Sequence, residues 1–257
     1  MNDQQSLGFG KEKKTGPVEC LGMTFKNDEA RREHFLKLLA EKLKDPEFRR
    51  TPGFPKASDD DILRLSDPPY YTACPNPFLE DFVRCYGKPY DPSEEYLRGP
   101  FVADIREGRG HPIYQAHSYH TKVPHQAIMR LILHYTRAGE LVLDGFSGTG
   151  MIGVAAQMCA RPASEFARSV EQESKELGLP DPEWGARHCV LCNLSPAATF
   201  VAAEYNTPRS LQAFEEEHIR ILEDVEQRYS WMFETRHEDG SSATIKQLCH
   251  LERCLHL

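Results

Sequence analysis

The sequence predicts an α/β fold with parallel strands, preceded by a helical and irregular N-terminal region. Three observations carry this expectation. After residue 140 apolar segments alternate in character: "ELVLD" ending at Asp144, an apolar run over 151–159, "HCVLCN" over 188–193 and "AATFVAAEY" over 197–205. Strand, helix, strand, helix in that order builds a parallel sheet. A glycine-rich turn, Gly148-x-Gly150-x-x-Gly153, joins the first strand to the first helix, as it does where backbone must pass close to a ligand. Before residue 140 the chain shows helical spacing interrupted by stretches rich in Pro, Gly and charge.

Composition sets the bounds. A chain of 257 residues can bury a real core in one or two domains. It is 40% hydrophobic, and no apolar run reaches the ~18 residues of a membrane span. The N-terminal "MNDQQSLGFGKEKKTGP" lacks the apolar core of a secretory signal. Eight cysteines are scattered without small-domain disulfide spacing, so reduced thiols in a cytoplasmic protein are expected. The net charge of −8 argues against a surface that holds nucleic acid by general phosphate neutralisation. Contact with DNA would need local patches such as Lys11–Lys14 or Arg49-Arg50, the first of which also reads as a solvated tail.

Taken in order, residues 1–20 read as a flexible arm. A helix is expected after Asn27, with Phe35, Leu38, Leu39 and Leu43 on one face. "TPGFPKASDDD" reads as a loop, and "ILRLS" as a short strand entering "DPPYYTACPNPF". Tyr86 to Gly110 is expected to be an irregular surface segment. Pro124 suits a first helical turn, followed by Ile128, Leu131, Ile132 and Tyr135 at i, i+3, i+4 and i+7. The run 151–159 is apolar nearly all round, as in a helix buried against a sheet. Arg161 to Gly185 reads as a polar connection to the second strand. Ser195-Pro196 caps the next helix, which Asn206 and Pro208 end. A longer helix then carries Leu211, Phe214, His218, Ile221, Val225 and Met232 on one stripe. The expected organisation is an N-terminal arm and helix over 1–58, an α/β domain over 59–206, and a helix and tail over 207–257.

The glycine loop leaves two ligands to weigh. In a dinucleotide fold the first glycine follows the strand directly, and an acid about 20 residues later holds the ribose. Here Gly148 lies four residues beyond Asp144, and the region about 20 residues on is polar without a strand before it. The fuller pattern Asp144-Gly145-Phe146-Ser147-Gly148-Thr149-Gly150 resembles the cofactor loop, D-P-F-x-G-[ST]-G, of S-adenosylmethionine-dependent amino-methyltransferases of DNA. The resemblance implies a Rossmann-like methyltransferase sheet, incomplete in the strands visible here, and S-adenosylmethionine as cofactor. It places Asp144 against the cationic methionine end and Phe146 beside the cofactor. A tight strand–helix turn without ligand is the plainer reading of the same residues.

Flanking segments extend the resemblance. "HSYHTKVPHQAIMRLILHYTRAGELVLD" is similar to the family's K-x-P segment and the helix leading into the aspartate strand. By that likeness His120, Thr121 and Lys122 would reach the methionine carboxylate. "HCVLCNLSPAA" is similar to the next strand, whose terminal acid grips the ribose hydroxyls. Asn193 stands at that position, and its amide can still hydrogen-bond a hydroxyl with less charge assistance.

Asp67-Pro68-Pro69-Tyr70 is identical to the D-P-P-Y of enzymes that methylate adenine N6 or cytosine N4. A ring-conjugated exocyclic amine is a poor nucleophile. A carboxylate and a proline-fixed carbonyl that accept its two hydrogens raise the electron density on nitrogen, while an aromatic ring stacks on the extruded base. Direct methyl transfer then depends largely on positioning. Two other readings remain: D-P-P-x also forms an ordinary turn, and the working tetrapeptide could belong to a longer relative after residue 257.

Cys189 and Cys192 form a C-x-x-C, and Cys249, His250, Cys254 and His256 supply further zinc-type ligands. Strand placement makes the first pair structural, and no metal is expected. The resemblance covers roughly 60–206 and is strongest over 119–206. It departs from the family at Gly145, usually proline, and at Asn193. The chain is therefore expected to methylate double-stranded DNA at adenine N6 or cytosine N4, alone or with a partner subunit or further C-terminal segment. The alternative is a truncated, non-catalytic cofactor-binding remnant or interaction subunit.

Overall fold

The computed structural model describes residues 16–89, 91–93, 95, 96, 98–208, 210–236 and 239–244. The described residues divide into two compact units, one over residues 16–208 and the other over residues 210–244.

The larger unit opens with an antiparallel hairpin, β1 (Val18–Cys20) and β2 (Met23–Phe25), whose turn places Leu21 and Gly22 at positive φ. The expected arm therefore ends earlier than residue 20, because Cys20 is buried in a core. Helix α1 (Asp28–Lys42) begins where expected: the Asn27 side chain accepts from the Ala30 N–H, and Asp28 and Glu29 face the positive end of the helix dipole. Its buried positions Arg31, Phe35 and Leu39 are spaced by four and share one face. A short α2 (Pro46–Arg49) leads to α3 (Asp59–Leu65).

Helix α3 replaces the expected strand at "ILRLS". Ser58 Oγ accepts from the Asp61 N–H, and three aspartates occupy the first turn. That local N-terminal chemistry favours a helix more strongly than the short apolar run favours a strand. Ile62 packs with Cys20, Phe35, Leu39, Leu43 and Phe78 in one core. Helix α4 (Leu79–Tyr86) follows the Asp67–Phe78 segment.

A second core surrounds the parallel strands. After the short α5 (Pro112–Gln115), helix α6 (His125–Tyr135) starts immediately beyond Pro124. Strand β3 (Leu141–Asp144) runs into α7 (Met151–Met158), then α8 (Ser164–Glu176), β4 (His188–Leu191) and α9 (Pro196–Asn206). β3 and β4 pair in parallel, Leu141 opposite His188 and Asp144 opposite Leu191. Met129, Ile132 and Leu133 of α6 meet Ala155 and Ala156 of α7 and Phe166 and Val170 of α8. Each fully buried large side chain of this kind contributes ~1.5–3 kcal/mol. The stretch expected as a polar connection thus contains α8. Phe166, Val170 and Ser174, four residues apart, bury one stripe of an otherwise charged helix.

The parallel pair is the only parallel sheet among the described residues, and it has two strands. The α/β order holds, but a Rossmann-like sheet is not formed by them. The smaller unit contains α10 (Leu211–Tyr229), a 3-10 turn over Ser230–Phe233 and the antiparallel pair β5 (Glu234–Arg236) and β6 (Ser242–Thr244). Ser210 caps α10, which buries none of its side chains. No helix of the described residues is long and apolar enough to cross a membrane.

Candidate functional site

The Asp144–Gly150 loop leaves the C-terminal end of β3 and turns into α7. Its backbone is fixed from β4: Cys192 N–H donates to Asp144 O (2.8 Å), while Ser147 N–H and Oγ both donate to Cys192 O (2.9 and 3.1 Å). Asp144 Oδ1 accepts from the Phe146 N–H at 3.0 Å, so the carboxylate braces its own loop. Gly148 and Gly150 have positive φ, which only glycine adopts without strain. A Cβ on Gly148 would lie 2.9 Å from the Tyr119 ring, and one on Gly150 would lie 2.8 Å from Ala202 Cβ. These two glycines are required by close packing as well as by the turn. Gly145 has open space around it.

The tips of the two strands are apolar and open. Phe146 is 93% exposed and Leu194 is 96% exposed. Asn193 Oδ1 accepts from the Ser195 N–H at 2.8 Å, forming the turn that leads into α9. Ser195 Oγ in turn caps α9.

The segment before α6 covers the glycine loop from the other side. His117 Nε2 is 2.7 Å from Thr149 Oγ1, and the His117 ring meets the Tyr205 ring edge-on. Burial and the nearby Lys122 charge lower the His117 pKa and favour the neutral ring. Lys122 is buried, and its ammonium donates to the carbonyls of Tyr114 and His117 and lies over the Tyr114 ring. It therefore closes the 114–122 turn, whereas His120 and Thr121 beside it are exposed. His117 and Tyr119 were missed by sequence reasoning, although both stand in the quoted "HSYHTK" segment; Tyr119 answers the missing side chain of Gly148.

The Asp67–Tyr71 loop is closed. Asp67 and Tyr71 exchange both backbone hydrogen bonds, the Pro68–Pro69 peptide is cis, and both prolines are buried. Arg31 Nη1 donates to Asp67 Oδ1 at 2.8 Å and to Pro68 O at 2.6 Å. Asn76 Nδ2 donates to Pro69 O at 2.8 Å, and Arg32 Nη2 to Ser66 O at 3.0 Å. Tyr70, half exposed, lies over the Arg31 guanidinium at 5.0 Å. Burial opposes the charge on Arg31, but hydrogen bonds to Asp67 and Asp28 outweigh it and raise the Arg31 pKa. Arg31 is the residue sequence could not have offered, since it acts across 36 positions.

Helix α9 touches both loops. The Tyr71 ring packs edge-on against Phe200, and Asn206 Nδ2 donates to Gly150 O at 3.0 Å. Of the residues with zinc-type side chains, Cys189 packs against the core around α6 to α8, and burial pushes its thiol up to about 12. Cys249, His250, Cys254 and His256 lie outside the described residues, as do Lys11–Lys14. Arg49 and Arg50 are paired with Asp59 and Glu47.

The candidate site is thus the end of a parallel strand pair that presents a glycine loop, apolar tips and a helix N-terminus. Residues 69–175 match the family model of DNA methylases, so this segment is similar to that family. The match includes Pro69, Tyr70, the 119–122 segment and the whole Asp144–Gly150 loop; Asp67, Pro68 and Asn193 lie outside it. No curated protein and no solved structure matches the chain.

Proposed function

We propose that the chain binds S-adenosylmethionine at the Asp144–Gly150 loop and transfers its methyl group to the exocyclic amine of adenine (N6) or cytosine (N4) in double-stranded DNA. The observation that carries the cofactor assignment is the open end of the β3–β4 pair, where the Asp144–Gly150 loop and the Asn193 turn leave neighbouring strands and Phe146 and Leu194 are exposed. Its donor set fits the group: a carboxylate for a cationic amino-acid end, an amide for hydroxyls, and exposed apolar surface for a planar base. When bound, the cofactor supplies an electrophilic methyl on sulfonium sulfur.

In this reading Asp144 orients the methionine end, and His120 and Thr121 approach its carboxylate. Lys122 supports them by fixing their turn. Gly145, Ser147, Gly148, Thr149 and Gly150 let the backbone pass close to the cofactor. Asp67 and the Pro68 carbonyl accept the hydrogens of the target amine, Pro69 stiffens the loop, and Tyr70 stacks on the base. The alternative, a cofactor-binding module without catalysis, draws on one observation: Arg31 already occupies both amine acceptors.

Incubation with labelled S-adenosylmethionine and unmethylated DNA tests the reading. Label in adenine N6 or cytosine N4 is the expected result; cofactor bound without any transferred label favours the non-catalytic module.

A further inference from the structure

The contact between Arg31 and the Asp67–Tyr70 loop reproduces the chemistry of a substrate. Arg31 Nη1 is a planar nitrogen bearing two hydrogens, and it directs them to Asp67 Oδ1 and to Pro68 O. An exocyclic base amine is also a planar nitrogen with two hydrogens. The guanidinium carbon lies over the Tyr70 ring, 5.0 Å from its centroid, on the aromatic surface where a base would stack. One side chain of the protein thus presents the donors, the planarity and the aromatic contact that the loop is equipped to receive.

We propose that Arg31 is an internal occupant of the amine-holding site, a latch on α1 that must withdraw before a base amine can enter. The proposal rests on the assignment of Asp67 and Pro68 as amine acceptors. The remaining donors of Arg31 show how withdrawal is possible. Nε and Nη2 both donate to Asp28 Oδ1, at 3.1 and 2.8 Å, and the Asp28 side chain is largely exposed at the first turn of α1. Asp28 thereby anchors the guanidinium in the latched position, and its exposure lets water take over that contact when Arg31 leaves Asp67 and Pro68 O. The charge-assisted hydrogen bond to Asp67 holds the closed state until a substrate supplies replacement donors.

Arg31→Ala empties the site, and Asp28→Asn loosens the anchor at an exposed position without leaving a hole. Methyl transfer to unmethylated DNA and S-adenosylmethionine affinity by calorimetry are measured on each folded protein. With cofactor affinity unchanged, Arg31→Ala is expected to raise the transfer rate about tenfold or more, and Asp28→Asn to raise it by a smaller factor. The gain must vanish in Arg31→Ala/Asp67→Ala, which removes the side-chain acceptor. Transfer by folded Arg31→Ala at or below the wild-type rate, or a gain that survives Asp67→Ala, overturns the latch. If Arg31→Ala fails to fold, Asp28→Asn decides, and an unchanged or lower rate overturns it. Absence of S-adenosylmethionine binding by the wild-type protein instead removes the underlying methyl-transfer reading, and the latch with it.

Discussion

Two loops that each open on an aspartate end in opposite states. Around Asp67–Tyr71 the acceptors expected to serve a substrate are taken by Arg31, and the Pro69 carbonyl is taken by Asn76. Around Asp144–Gly150 the backbone is equally well fixed, by Cys192 and Ser147, but the apolar tips Phe146 and Leu194 stand in solvent. The first loop is built inward and joins α1 to α9. The second is built outward, at the end of a parallel strand pair. A motif read by its letters cannot distinguish these states, because the distinction lies in which donors arrive from distant parts of the chain.

The difference can be broken most forcefully at Asp67. Asp67→Ala removes one of the two carboxylates that pair with the buried Arg31 guanidinium, leaving Asp28, and should cost ~1.5–3 kcal/mol of stability, the range for a hydrogen bond to a charged group. Denaturant unfolding measures this. The open loop predicts the reverse for Asp144→Ala, whose midpoint should stay near that of wild type. Equal destabilisation would erase the contrast.

Acid probes the helix packed against α7, which carries the outward loop. His125, buried at the start of α6, has its pKa lowered to about 4 by burial and by His111. A folded pKa below the unfolded value of ~6.5 means that the unfolded chain binds more protons between those limits. Stability contributed by neutral His125 is complete above pH ~6.5 and is lost as pH falls toward 4, by about 3 kcal/mol at most. Thermal unfolding across this window should show the loss, and His125→Phe should flatten it. A profile that the substitution leaves unchanged would assign the acid sensitivity elsewhere.

The smallest effect is expected at Asn193. Its Oδ1 already serves the Ser195 N–H, a contact that aspartate can keep. Asn193→Asp should therefore hold or improve S-adenosylmethionine affinity, and Asn193→Leu should reduce it several-fold, within the ~0.5–1.5 kcal/mol of one hydrogen bond. Equal titration curves for the three proteins would remove Asn193 from the cofactor assignment.

What the sequence made legible was local. Asn27, Ser195 and Pro124 announced helix starts through their own side chains or ring, and "LVLD" and "HCVL" announced strands by apolar runs of the right length. The Asp144–Gly150 loop was legible because a strand, a turn and a helix are contiguous. Where a local signal was overlooked, as in Ser58 followed by three aspartates, a helix was read as a strand. Helix α8 was hidden by its charge, since only Phe166, Val170 and Ser174 mark its buried stripe. The contacts that determine the state of the site lie further apart: Arg31 with Asp67, His117 with Thr149, and Asn206 with Gly150. No periodicity encodes such pairs.

The central claim is that the outward loop, ending in Asp144 and the glycine turn, holds S-adenosylmethionine. Calorimetric titration of the wild-type protein with S-adenosylmethionine and with NAD, repeated on Asp144→Ala, tests it most directly. The account predicts that S-adenosylmethionine binds more tightly than NAD and that Asp144→Ala weakens it by ~1.5–3 kcal/mol, the scale of a hydrogen bond to a charged group. Tighter binding of NAD, or S-adenosylmethionine affinity untouched by Asp144→Ala, would contradict it.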